Sequence, residues 1–350
     1  MQALFGVLFH TLGGVAAGSF YMPYNKVKGW AWESYWIIGG LFSWLIIPPL
    51  AAWITVPGFT EILATSSTQI LFFTFAMGLL WGVGGLSYGL GIRYLGMSLG
   101  NSVVLGFSAA FGAIVPSVYY SINPVEGKIS FTDMLETSGG KLVLLGVFIC
   151  LVGIALSGRA GMMKESELSE EEKKKTVADF SLAKGLTIAI LSGILSSFFN
   201  FGIEAGKPLA DAAVEAGFNP LYKNNVTFVV ILWGGLTTNL IWTTILSLKN
   251  RSYLDFVNQS TPIVKNMMFS ALAGTIWFLQ FFFYGMGESK LGNGASSWIL
   301  HMSTIILTAN LWGIYRKEWK GVATKTKWTI TAGITVIILA VVLVGIGNTM

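Results

Sequence analysis

Polar side chains stand out inside the long apolar runs of this sequence, among them His10, Asn101, Asn200, Glu204, Gln280 and His301, with Glu33, Arg93, Lys207 and Glu288 near run ends. A charged group at the centre of a lipid-spanning helix costs on the order of 2.5–3.5 kcal/mol, so such residues usually face a cavity, a partner or a proton path. Histidine changes charge near neutral pH, which makes His10 and His301 candidates to carry a proton; the other reading of each is an interhelical hydrogen bond that packs the bundle. Glu33, in KGWAWES at the mouth of its run, ranks with His10 as the first pair of candidates, with His301 third. A carboxylate there carries a proton only where its surroundings favour the neutral acid; otherwise it makes a cap-like contact.

Trp277, Gln280 and Tyr284 are spaced three and four residues apart, which puts all three on one face of a helix. Aromatic rings around an amide suit a sugar: the rings cover its C–H face while the amide fixes hydroxyl groups. The competing reading is that Trp277 and Tyr284 anchor the helix at membrane interfaces, although their spacing cannot put both at one interface. Trp81, Tyr88, Asn101, Asn200 and Trp298 complete the expected solute-binding set. Glu204 and Lys207, three residues apart, could pair with each other at a helix end. No metal-ligand spacing, phosphate loop or nucleophile motif occurs, and WGVGGLSYG follows no strand, so no metal, cofactor or enzymatic chemistry is expected.

Such residues need elements to hold them, and the composition says which. The chain is 53% hydrophobic and 11% charged, with mean hydropathy +0.67, more apolar surface than a soluble domain can bury. A helix needs roughly 20 apolar residues to cross a hydrocarbon core about 30 Å thick. Runs of that length predict ten all-α spans at about 3–22, 34–54, 69–92, 97–121, 141–158, 184–203, 222–248, 266–286, 292–315 and 326–347. The runs lack two-residue alternation, which argues against a barrel. No Lys or Arg precedes the first run, so it is read as a retained helix rather than a signal peptide. Cys150 lies inside the fifth run as the sole cysteine and is read as packing.

The net charge of +5 forms no basic stripe, so nucleic acid is not an expected partner; membrane lipid is. Odd-numbered loops hold 17 of the 22 Lys and Arg residues and even-numbered loops the other 5. Basic flanks mark the cytoplasmic side, which predicts both termini outside and the charged segment 159–183, with ESELSEEEKKK, inside as a linker.

The two halves, 1–158 and 184–350, resemble one another. WGVGGLSYGLGIRYLG at 81–96 and WFLQFFFYGMGESKLG at 277–292 share Trp, Tyr, three Gly and Leu at a constant offset, and Gly39-Gly40-Leu41 recurs as Gly234-Gly235-Leu236. A unit of five spans must repeat in the opposite orientation, giving a five-plus-five inverted repeat, the architecture of many secondary transporters. Small-residue pairs such as Gly78-Gly82 and Gly85-Gly89 permit close helix approach without indicating a substrate.

The segments HTLGGVAAGSFYMPYNKVKGWAWES, YGLGIRYLGMSLG, WFLQFFFYG, SWILHMS and the carboxyl-terminal VGIG, in matching order along the chain, resemble the bacterial L-rhamnose/proton symporter family of the drug/metabolite transporter superfamily. That resemblance implies ten helices as a five-plus-five inverted repeat in the inner membrane, importing L-rhamnose with a proton. Glu204 and Glu288 depart from the family pattern and either tune the site or pair with Lys207 and Lys290. Transport of another small metabolite is the alternative within the superfamily. An enzyme would need a nucleophile, metal set or carboxylate dyad, and a sensor a signalling domain after residue 347; neither is expected.

Overall fold

Backbone N–H and C=O groups in an apolar run have no water to bond in lipid, and the chain pairs them within helices. The structure, a computed structural model, describes residues 2–95, 97–124, 129–167, 182–292, 294–315, 319–347 and 350; among these there is no strand. The first half contains α1 (Gln2–Ser19), α2 (Tyr21–Tyr24), α3 (Trp32–Gly40), α4 (Ile47–Thr55), α5 (Phe59–Thr65), α6 (Thr68–Leu95), α7 (Met97–Ile122), α8 (Phe131–Glu136) and α9 (Ser138–Ser166). The second contains α10 (Leu182–Ala205), α11 (Lys207–Glu215), α12 (Asn224–Asn250), α13 (Ile263–Leu291), α14 (Gly294–Tyr315) and α15 (Thr324–Gly347).

Nine segments among the described residues are long and apolar enough to cross a membrane. The helix α14, at the ninth expected span, has 22 residues, but His301, Asn310 and several Ser and Thr lower its apolarity. Large apolar side chains such as Trp53, Phe72, Phe148, Leu248 and Val264 are more than half exposed, as side chains facing lipid would be. The charged segment begins as helix, because α9 runs on to Ser166; ESELSEEEKKK continues beyond the described residues.

The second expected span is not one continuous α-helix. Between α3 and α4 the backbone takes a π turn over Leu41–Ile46. Pro48 and Pro49 supply the reason: neither can donate to a carbonyl one turn back, so the ladder loosens there and the Ile47 N–H bonds Phe42 instead.

The chain divides into two compact units. One comprises Met1–Gly14, Gly84–Ser197 and Lys290–Met350. Within it α9 packs along α15, with Gly139, Gly146 and Gly153 facing Gly347, Val344 and Ile337, a close approach that small residues permit.

The other unit comprises Val15–Val83 and Phe198–Ser289. Here α3, the π turn and α4 pack on α12, and α11 packs on α12 and α5 around Ala52, Val56, Leu209, Ala213, Val226 and Val229. Two backbone approaches hold this unit together. A Cβ on Gly274 of α13 would fall on the Gly39 carbonyl oxygen of α3, and one on Gly234 of α12 would fall on the Phe75 carbonyl of α6, beside Gly78.

Candidate functional site

In the unit Val15–Val83 with Phe198–Ser289, the helical face expected from spacing is present on α13. Tyr284 and Gln280 are almost fully buried, and the Tyr284 hydroxyl donates to Asn200 Oδ1 at 3.0 Å. Trp277 packs on Phe20, ring centres 4.2 Å apart, and on Phe281 at 6.2 Å. Trp81 meets the other side of the same cluster, 5.6 Å from Phe281 and 5.3 Å from Phe199. Phe281 therefore bridges the two tryptophans that occupy equivalent positions in the two halves of the sequence. Trp277, Gln280, Tyr284, Asn200 and Trp81 all belong to this unit.

Three expected residues lie elsewhere. Tyr88 sits in the other unit, against Val104 and Ala189. Trp298, also in that unit, donates its indole N–H to the Ser108 carbonyl at 2.7 Å. The side chain of Asn101 falls outside the described residues.

His10 and His301 are 291 residues apart in the chain, yet α1 and α14 bring their buried rings to 6.1 Å between centres, inclined at 70°. The His301 side chain hydrogen-bonds the backbone of His10, and the Thr304 hydroxyl donates to the His10 carbonyl at 3.1 Å. Two imidazolium rings at that separation in an apolar interior would repel strongly.

Glu33 is 5% exposed, at the start of α3. Its Oε1 accepts from Asn250 Nδ2 at 2.9 Å and from Ser252 Oγ at 2.7 Å. Beside it, Asp255 Oδ2 accepts from the Ser34 hydroxyl at 2.7 Å and the Ala31 N–H at 2.8 Å, and the Ser34 hydroxyl also approaches the Ser252 carbonyl at 3.1 Å. The Asn266 side chain closes the neighbouring turn by pairing with both backbone groups of Lys28. Two carboxylates thus latch the loop before α3 to the segment after α12. Of the other acidic residues flagged by the sequence, Glu288 accepts from Asn224 at 2.9 Å, while Lys207 makes its ion pair with Asp211, one turn along α11.

A feature the spacing analysis did not find lies where the π turn faces α13. Phe20, Tyr24, Trp36, Ser43, Trp44 and Trp277 surround a small cavity of about 10 Å³, floored by the backbones of Gly39, Gly40 and Gly274. On three of the lining residues, Ser43 Oγ and the indole nitrogens of Trp44 and Trp277 are buried with no hydrogen-bond partner among the described residues. The sequence did carry a signal, since Gly39-Gly40 followed by Ser43-Trp44 and Pro48-Pro49 combines close approach with a broken ladder.

Residues 2–350 match the family model for the L-rhamnose-proton symport protein (RhaT). An L-rhamnose-proton symporter of Yersinia pestis (strain Pestoides F) is 38% identical over 349 residues, covering 98% of each chain, and that of Yersinia pseudotuberculosis serotype O:1b (strain IP 31758) matches equally. The symporter of Yersinia pestis bv. Antiqua (strain Antiqua) is 37% identical over the same length.

Proposed function

We propose that this chain, which belongs to the L-rhamnose-proton symport family, imports L-rhamnose together with a proton across the bacterial inner membrane by alternating access. The observation that carries this reading is the match to family and relatives over essentially the whole chain. The family is one of transporters, not enzymes.

The architecture of this reading is ten membrane-spanning helices, α14 being the tenth beside the nine most apolar segments, arranged as two inverted repeats, 1–158 and 184–350, joined by the charged linker 159–183. Equivalent contacts support it: Gly39 and Gly234 correspond in the two halves, as do Gly78 and Gly274, and Gly39 meets Gly274 as Gly234 meets Gly78. The excess of basic residues in odd-numbered loops supports outward-facing termini.

For the sugar, the working face is Trp277, Gln280 and Tyr284, with Asn200 and Trp81 beside it. Rings cover the apolar face of the pyranose and the amides direct its hydroxyls. Tyr88, Asn101 and Trp298 remain candidates on sequence grounds. For the proton, Glu33, His10 and His301 are the carriers. A proton on Glu33 Oε1 would compete with Asn250 and Ser252 for the same oxygen, so taking up the proton would loosen the latch at the start of α3. The His10–His301 pair offers a second place for one proton within its own unit.

Counterflow into proteoliposomes tests the assignment of sugar. Vesicles loaded with unlabelled L-rhamnose are expected to take up labelled L-rhamnose, with L-fucose, L-lyxose and L-mannose competing to graded extents. Uptake no faster than in protein-free vesicles, or equal competition by unrelated metabolites, would overturn it.

A further inference from the structure

We propose that α3 is a swinging segment: during transport it turns about the π turn at Leu41–Ile46 and parts from α12 at its Glu33 end, while α4 stays seated. This rests on the transport reading above and names a moving part within one compact unit.

The two ends of one helix pair are held by different chemistry. α3, the π turn and α4 all pack on α12, and side chains tie the pair at both ends. At one end Glu33 accepts from Asn250 and Ser252. At the other, Thr55 Oγ1 accepts from Asn225 Nδ2 at 2.9 Å. Asn250 follows Thr55 at the same offset by which Gly234 follows Gly39, so the two ties use equivalent positions in the two halves of the sequence. Their surroundings are not equivalent. Beside Thr55 and Asn225, the side chains of Ala52, Val56, Leu209, Val226 and Val229 form a dry apolar cluster, each fully buried. Around Glu33 the further ties are polar: Asp255 accepts from Ser34 and from the Ala31 N–H, and Asn266 pairs with the backbone of Lys28. When polar groups part, water takes the place of each partner at small net cost, whereas an apolar cluster that opens loses its burial with nothing in exchange. The pair therefore opens at Glu33 and holds at Thr55.

The local backbone lets α3 turn as a piece. Its N-cap residue, Ala31, has no side-chain oxygen, and Asp255, 224 residues away in the chain, supplies the missing acceptor. At its far end Pro48 and Pro49 cannot donate, so the Trp44 and Leu45 carbonyls receive no α-helical bond, and a π turn next to proline is a recognised cause of bending. Between the borrowed cap and the weakened ladder lie nine helical residues. Where α3 meets α13, Gly39 faces the backbone of Gly274, so no pair of side chains interlocks there.

The test is counterflow of L-rhamnose by the full-length protein in proteoliposomes, with paired cysteines joined by a short, reducible bis-thiosulfonate. Ser34→Cys with Ser252→Cys bridges the Glu33 end, where the Ser34 hydroxyl lies 3.1 Å from the Ser252 carbonyl, and Thr55→Cys with Asn225→Cys bridges the other. The first bridge should cut counterflow roughly tenfold or more and reduction should restore it, while the second should leave counterflow within about twofold of the reduced protein. Counterflow that persists through the first bridge, or that the second bridge stops until it is reduced, would overturn the proposal and leave the transport reading intact. No counterflow by the wild type would instead remove the transport reading, and this proposal with it. A readout that needs no transport guards against misassembled pairs, and the fully buried Cys150 does not compete in it. Saturating L-rhamnose should change the alkylation rate of the single variant Ser34→Cys by roughly threefold or more and leave that of Thr55→Cys unchanged. Equal responses at the two positions would overturn the proposal equally.

Discussion

Around Glu33 the buried polar groups have found protein partners: the carboxylate accepts from Asn250 and Ser252, and Ser34 donates to Asp255. Further along the same span, Ser43 and Trp44 are as deeply buried and have none among the described residues. Both regions belong to one compact unit, and both polar sets are enclosed by apolar spans. Satisfied groups fix one backbone segment to another, whereas unsatisfied ones cost free energy.

The harshest way to break the comparison is to push apart the elements that both regions share. Gly274→Ala would place a Cβ on the Gly39 carbonyl, and Gly234→Ala would do the same at Phe75. Backbone cannot yield as a flexible side chain can, so overpacking of about 1–3 kcal/mol or more is expected for each. Thermal unfolding in detergent should begin well below wild type, with transport lost; unchanged melting would mean that these approaches are looser than described.

A selective break comes next. Glu33→Gln and His10→Gln should abolish sugar accumulation driven by a proton gradient, yet leave exchange of labelled for unlabelled sugar, which needs the rocking motion but no net proton transfer. If both variants still concentrate sugar in response to an imposed pH gradient, neither group carries the coupling proton, and the Glu33 network is a structural latch alone.

The smallest expected effect sharpens the binding side. Trp277→Ala and Gln280→Ala should weaken L-rhamnose binding by about tenfold, since one stacking surface or one amide contact is worth on the order of 1 kcal/mol, while the protein stays folded and inserted. Wild-type binding in both would assign that face of α13 to packing.

Much of this was legible in the residues. The long apolar runs gave helices because lipid leaves the backbone no alternative, and three- and four-residue spacing put Trp277, Gln280 and Tyr284 on one face of α13. The pairing of His10 with His301 was not legible, because it depends on how α1 and α14 pack across 291 residues of chain. The cavity was legible only in part: Gly39-Gly40 and Pro48-Pro49 mark a close approach and a broken ladder, but that Gly39 meets Gly274 depends on how the helices pack. Tyr88 shows the converse limit. It repeats in sequence as Tyr284, yet the compact unit that contains it is the other one, because equivalence along the chain does not fix which neighbours a residue meets.

The central claim, that sugar and proton move together, is tested most directly in proteoliposomes given an acidic exterior. The account predicts that labelled L-rhamnose rises inside above its external concentration, and that a protonophore collapses the gradient. Entry that stops at equal concentrations with or without the pH difference would contradict it.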